Sequence, residues 1–201
     1  IPKGYGESIE MFIQLLWDVG LEVGHSVRTI EECIRKGNED VTILTTFLES
    51  RLLAGDPEIF LDFQNIRKDN IDLEKFIEQK TREQRYRHNQ SKDTAYSLEP
   101  NVKECPGGLR DLHTIVWIAK AANFGSNWSE LFAQKIITKK EFIKITKCQK
   151  LLDRIRISLH YHSGRREDRL SFDYQKVIAE KFDLRDNDAK RASEQLMKKF
   201  Y

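Results

Sequence analysis

Six apolar residues spaced three and four apart constrain this chain more than any other feature. Phe142, Ile145, Cys148, Leu152, Ile155 and Leu159 fall on one side of the chain only if it runs as a long α-helix. A stripe of that length is the seam of a helix packed lengthwise against others, so the chain is a bundle former. Thr138 and Glu141 have the spacing of a capping box and open the helix, and Ser163-Gly164 closes it.

The same period recurs along the chain. Ile9, Phe12, Ile13 and Leu16 predict a helix over 7–19, stopped by Gly20. Thr29 and Glu32 open another, closed by Gly37-Asn38, and a further helix is expected over 40–49. Asp56 is a good N-cap for a helix beginning at Pro57, where the missing N–H costs nothing. Residues 73–90 read as a long, exposed, polar helix with a basic end made by Lys80, Arg82, Arg85, Arg87 and His88. That end is either a solvated face or a wall for an anionic substrate. Helices are also expected over 109–122 and 129–134, from about 173 to 182, and from near Asp186 or Asp188 to the end.

One stretch has the period of a strand. Leu21, Val23, His25 and Val27 alternate with Glu22, Gly24, Ser26 and Arg28, which predicts a half-buried strand. A single strand leaves its backbone donors and acceptors without partners, so a sheet partner is expected upstream of Ile1 or from a second chain. The expected fold is therefore mainly α: a helical bundle, residues 51–201, preceded by a small α/β remnant, residues 1–50.

Composition narrows the function. With 34 basic and 32 acidic residues the net charge is +2, which gives no argument for nucleic acid or a membrane as partner. No apolar run approaches the length of a membrane span, and the first residues lack a signal-peptide pattern. Cys33, Cys105 and Cys148 are widely spaced without a CxxC pair, so free thiols in a reducing cytoplasm are expected rather than a zinc site. The five histidines are scattered, and no nucleophilic triad, Walker loop or dinucleotide fingerprint is present.

Four features could carry chemistry. In Lys103-Glu104-Cys105-Pro106-Gly107-Gly108-Leu109-Arg110-Asp111, glycines precede a helix start flanked by charge. Glycines there let backbone N–H groups approach an anion, and the helix N-terminus favours negative charge. The alternative is a loop whose Gly pair permits close packing and whose Arg110 pairs with an acid. Gly164-Arg165-Arg166-Glu167-Asp168-Arg169 sets three arginines and two acids at the end of the longest helix. It is either an anion-binding fork or an ion-pair network tying two helices. Glu22, on the strand face, is one carboxylate and a weak Mg²⁺ ligand alone. Arg51 follows a helix C-terminus, where a cation is ordinary.

Five segments then agree, in order, with one family. They are 21–29 (LEVGHSVRT), 48–56 (LESRLLAGD), 93–104 (DTAYSLEPNVKE), 106–112 (PGGLRDL) and 164–170 (GRREDRL). Together they closely resemble the bacterial PII uridylyltransferase/uridylyl-removing enzymes. The Lys-x-x-x-Gly-Gly-Leu-Arg-Asp element is also similar to one in the glutamine synthetase adenylyltransferases.

The resemblance implies an enzyme that attaches UMP from UTP to a tyrosine of the PII signalling protein, reversed by a separate hydrolase domain when the effector glutamine is plentiful. It implies a polymerase-β-type nucleotidyltransferase domain, ending within 1–50, followed by a helical domain. It also implies a divalent metal, Mg²⁺, that activates attack on the transferred phosphoryl. The paired aspartates of that fold would lie before Ile1, and the hydrolase and glutamine-sensing domains after Tyr201. Residues 1–201 are therefore expected to be inactive alone. The adenylyltransferase relatives carry Val-Asp-x-Arg-Leu-Arg on the matching strand, where this chain has Gly24, and Glu22 is the nearest substitute. The resemblance points Lys103, Gly107, Gly108, Arg110, Arg165 and Arg166 towards a nucleotide or substrate cleft, with Asp111 holding Arg110 or capping the helix and Asp168 and Arg51 in support. A non-catalytic helical docking module and an adenylyltransferase relative are the alternatives.

Overall fold

The computed structural model of the chain describes residues 4–90, 97–187 and 189–201. Part of the 93–104 segment, residues 93–96, and the possible helix start at Asp188 lie outside the described residues. Among the described residues there are ten α-helices and no β-strand. They divide into two compact units. One comprises the described part of Ile1–Leu44 with Arg51–Asn70, the other Thr45–Ser50 with Ile71–Tyr201.

The first unit contains α1 (Gly6–Asp18), α2 (Ile30–Glu39), the start of α3 (Val41–Leu48) and α4 (Pro57–Asp69). The local signals act as expected. Thr29 Oγ1 accepts from the Glu32 amide at 3.2 Å, and Glu32 Oε2 accepts from the Thr29 amide at 2.9 Å, closing the capping box of α2. Asp56 Oδ1 accepts from the Glu58 amide at 2.8 Å, with Pro57 in the first turn of α4.

The strand expected over 21–28 does not form. Those residues are neither helix nor strand, and Leu21 and Val27 are both more than half exposed, so there is no half-buried face. The reason is physical: strand amides and carbonyls need a ladder, and no second strand is present among the described residues. Trp17 Nε1 donates to the Val23 carbonyl at 3.3 Å instead. The mainly α fold is what the structure shows; the α/β remnant is not formed. α1 likewise buries no residue, and Met11, Phe12 and Leu15 on it are exposed.

The second unit contains α5 (Leu73–Gln90), α6 (Leu109–Ala121), α7 (Trp128–Ala133), α8 (Lys139–Ser163), α9 (Phe172–Lys181) and α10 (Ala192–Phe200). α8 is its spine. A Thr138–Glu141 capping box opens it, and Gly164, at φ +65°, ends it in the left-handed conformation that glycine adopts without a Cβ penalty. Along the second half of α8, Leu152, Ile155 and Leu159 are buried against Leu109, Leu170, Ile178 and Leu196. Along its first half, Phe142 and Ile145 pack on Trp128 and Leu131 of α7 and Ala119 of α6. One helix therefore serves two clusters.

Two expectations are corrected in this unit. α5 has real core anchors: Phe76 is 1% and Lys80 3% exposed. Lys80 does not belong to a solvated basic end. Its ammonium lies 5.0 Å from the Trp117 ring and 5.8 Å from the Phe76 ring, and pairs with Glu83 at 2.8 Å. Aromatic faces and an acid replace the lost water. The last helix also starts later than expected. Asn187 Oδ1 closes a turn by accepting from the amides of Ala189 and Lys190, and Asp186 Oδ1 accepts from the Ala192 amide at 2.7 Å. Those polar side chains favour a turn over helix interior.

Candidate functional site at the start of helix α6

The loop before α6 is built by local hydrogen bonds and one long-range seam. Asn101 Oδ1 accepts from the amides of Lys103 and Glu104 at 3.0 and 2.8 Å, an Asx-type turn. The Val102 amide donates to the Asp168 carbonyl at 2.8 Å, and the Leu170 amide to the Pro100 carbonyl at 2.9 Å, pairing Asn101 with Arg169 in an antiparallel bridge. Val102 and Leu170 are fully buried on either side of that seam. The 164–170 segment and the Gly-Gly loop, distant in sequence, are thus one structure.

The glycine pair has a specific steric task. A Cβ on Gly108 would stand 2.9 Å from each of three carbonyl oxygens, those of Val102, Lys103 and Cys105. Gly107 has φ +76°. The amides at this helix start all have acceptors within the chain. Gly107 donates to Asp111 Oδ2, Gly108 to the Cys105 carbonyl, Leu109 to the Val102 carbonyl and Arg110 to the Lys103 carbonyl, at 2.8–3.1 Å. The start of α6 is closed by its own loop, so these backbone amides are already committed and the expected amide cradle for an anion is not formed.

Charged side chains converge here. Arg110 Nη2 lies 3.3 Å, Lys103 Nζ 3.4 Å and Arg87 Nε 3.6 Å from the Glu104 carboxylate. Arg110 also lies over the Trp117 ring at 5.4 Å. Asp111 caps the Gly107 amide but does not hold Arg110. Its carboxylate takes Arg87, Gln84 at 3.1 Å and His88 at 3.0 Å, all from α5. Burial alone would raise the Asp111 pKa. The hydrogen bonds from Gln84 and Gly107 and the charges of His88 and Arg87 outweigh it and hold the acid below its ordinary value. Asp168 is the parallel case in the seam. Burial is outweighed by Arg156 Nε at 2.6 Å, His160 Nε2 at 3.0 Å and the charge of Lys103, so this acid too is held low.

The remaining expected residues are placed differently. Arg165 pairs with Glu167 at 2.9 Å and is mostly exposed, and Arg166 is exposed. Arg169 pairs with Glu99 at 2.8 Å. This run is the network that ties loop to helix rather than a second cluster of cations on one acid. Glu22 and Arg51 belong to the first unit, both exposed.

Sequence reasoning missed Glu104, Gln84 and the roles of Arg87 and His88. Positions 84, 87 and 88 share one helix face, and that spacing was a usable signal. The buried Cys105 thiol is pushed up to about 11 by burial and by the Asp111 charge, so it stays protonated; all three cysteines are free thiols. Two cavities indent the same unit. One, about 330 Å³, is lined by Cys105, Gly107 and Phe200; the other, about 340 Å³, by Glu49, His113, Trp117 and Lys120.

A divalent metal does not fit the residues present. Among the described residues no three His, Cys, Asp or Glu side chains gather as a ligand set. Asp111 and Asp168 give their oxygens to cationic donors, and Glu22 stands on an irregular, exposed segment. No described helix is long and apolar enough to cross a membrane.

Comparison with known proteins follows the same residues. The family model described as GlnD PII-uridylyltransferase matches residues 75–201, which include the whole α5–α6 cluster and its seam. Proteins named bifunctional uridylyltransferase/uridylyl-removing enzyme are similar over almost all of the chain. The one from Ralstonia nicotianae is 47% identical over 199 residues, 99% of this chain. Those from Burkholderia thailandensis and Cupriavidus pinatubonensis are 48% and 47% identical, over 97% and 96% of it. The chain spans only 22–23% of the length of these relatives. No solved structure matches it. On the family match and on identity across nearly its full length, the chain belongs to the GlnD PII-uridylyltransferase family.

Proposed function

We propose that this chain is the phosphate-recognising helical part of an enzyme that transfers UMP from UTP to a tyrosine of a PII signalling protein. The observation that carries the reading is the convergence of Lys103, Arg110 and Arg87 on one partly buried carboxylate, Glu104, at the start of α6, in a member of this family. In the transfer, the tyrosine oxygen bonds to the α-phosphorus and its proton passes to a base. The bond from that phosphorus to pyrophosphate breaks, and pyrophosphate leaves with the electron pair. Fixed cations beside the phosphate chain stabilise the charge that builds on the leaving group.

Within this reading Lys103 and Arg110 contact phosphate or the incoming PII segment. Gly107 and Gly108 shape the loop that presents them, and Asp111 and Asp168 fix its two sides. Arg165 and Arg166 form an outer basic rim, and Arg51 supports from its own unit. Mg²⁺ would belong to carboxylates of the longer polypeptide; Glu22, the carboxylate that the resemblance singles out, does not make a site by itself. Residues 1–50 would close the nucleotidyltransferase domain and 51–201 form the helical domain. The exposed apolar side chains of α1 would be covered by the rest of that first domain. Uridylyl removal and the glutamine response would reside in further domains of a cytoplasmic protein.

The test is Arg110→Ala in the full-length protein. Loss of UMP transfer by about 100-fold, with folding and uridylyl removal retained, is expected for a lost transition-state cation. Unchanged transfer overturns the role of Arg110, and loss of folded protein assigns it to structure.

A further inference from the structure

The three cations at the start of α6 share one acid, and they share it loosely. Glu104 lies 3.3, 3.4 and 3.6 Å from Arg110, Lys103 and Arg87. None of these reaches the roughly 2.7–2.9 Å of a charge-assisted hydrogen bond. Pairs nearby are tight: 2.6 Å for Arg156–Asp168 and 2.8 Å for Arg169–Glu99.

The cations and the acid are also held by different means. Arg87 is pinned by Asp111, and Arg110 lies over the Trp117 ring. The Glu104 backbone is fixed through its amide to Asn101, while its side chain is 32% exposed. Glu104 can therefore swing away without moving the loop, and Arg87 and Arg110 keep their places when it does.

We propose that Glu104 is an internal stand-in for phosphate: it occupies a three-cation site that an incoming polyphosphate takes over by displacing it. This rests on the phosphate reading above and extends it by giving Arg87 a phosphate contact and Glu104 the role of competitor. The arrangement has a selective consequence. A singly charged anion gains little over the carboxylate already there, whereas a polyphosphate brings more charge and more acceptor oxygens to the same donors. The ligand class is an extended polyphosphate, such as the triphosphate chain of a nucleotide.

The experiment is isothermal titration of the full-length protein with inorganic tripolyphosphate, which carries the charges without a base. Glu104→Gln removes the competing charge at constant shape and should bind about three- to tenfold tighter than wild type. In the Glu104→Gln, Lys103→Met double variant that gain should vanish. Equal or weaker binding by Glu104→Gln overturns the proposal, as does a gain that survives without Lys103. Lys103→Met and Arg110→Gln, at partly exposed positions, should each weaken binding about fivefold whether or not Glu104→Gln folds. Unchanged affinity in both also overturns it. UMP transfer is assayed on the same wild-type sample. Its absence defeats the transferase reading and leaves the anion site standing; unchanged tripolyphosphate affinity in the variants does the reverse.

Discussion

Gly108→Ala should cost more than Gly107→Ala, although Gly107 is the residue with the positive φ. At Gly108 the backbone is ordinary, with φ −75°, and the obstacle is space. The new Cβ would meet three carbonyl oxygens at 2.9 Å, where ordinary contact begins at 3.4 Å. Each carbonyl must retreat by about 0.5 Å, and these same carbonyls accept from Gly108, Leu109 and Arg110 at 2.8–3.1 Å. Retreat stretches those bonds to about 3.3–3.6 Å, the edge of useful geometry. Overpacking of this kind costs about 1–3 kcal/mol, and three weakened bonds add a further fraction of about 1 kcal/mol each. A total of about 2–4 kcal/mol corresponds to a Tm lower by roughly 6–12 °C. A Cβ on Gly107 meets nothing within 4 Å, so only the left-handed conformation is charged, about 1–2 kcal/mol. Calorimetry of both variants, with hydrogen exchange at Leu109 and Arg110, reads the difference. A Gly108→Ala protein melting within a degree of wild type, or above Gly107→Ala, would falsify the steric account.

Two further perturbations address the second unit. Ile155→Ala, at a fully buried position of the α8 seam, should lower stability by about 2–4 kcal/mol, and Ile157→Ala, 68% exposed on the same helix, by under about 0.5 kcal/mol; equal urea midpoints would contradict the assigned face. Acid should act in two steps. Burial and the Arg110 charge hold His113 below 6.5, so as pH falls through 6.5 the unfolded chain takes up a proton that the folded one refuses, and stability drops. Asp111 and Asp168 are held below 3.8, so their contribution is complete above 3.8 and is lost as pH falls through their folded values. Urea midpoints from pH 8 to 3 check both steps, and His113→Gln should abolish the first; a first step that persists in that variant rules out His113 as its source.

The parts of this fold that sequence reveals are those governed by neighbours a few residues apart. The Thr29–Glu32 and Thr138–Glu141 capping boxes, the Asp56-Pro57 start and the α8 stripe are local, and each sits where its spacing puts it, except that Cys148 of the stripe is exposed. The alternation over 21–28 is just as regular, yet it yields no strand, because a strand is completed by a partner that local pattern does not supply. Lys80 shows the same limit from the other direction. Its neighbours in sequence are polar, and what buries it is Trp117, from a different helix. At the candidate site, the unusual loop was visible in its glycines and prolines. Its wiring was not: Asp111, expected to hold Arg110 or cap the helix, caps the Gly107 amide and pairs across to α5, and Glu104 takes Arg110. The α5 partners of Asp111 are 23, 24 and 27 residues from it in the chain, beyond the reach of any periodicity.

The seam between residues 100–102 and 168–170 also bears on the order in which the molecule is made. The Val102 amide has its acceptor at Asp168, and Leu109 packs in a core completed by Ile178 and Leu196. During synthesis the Gly-Gly loop leaves the ribosome well before those residues do. Until α8 has formed and the chain has turned back through Gly164, the loop has its local hydrogen bonds but lacks the seam to Asp168 and Leu170. Closing so long a loop is slow relative to helix formation, because its entropy is lost before the contact is gained. The seam is thus among the last features to mature, well after the helices on either side of the Gly-Gly loop can form.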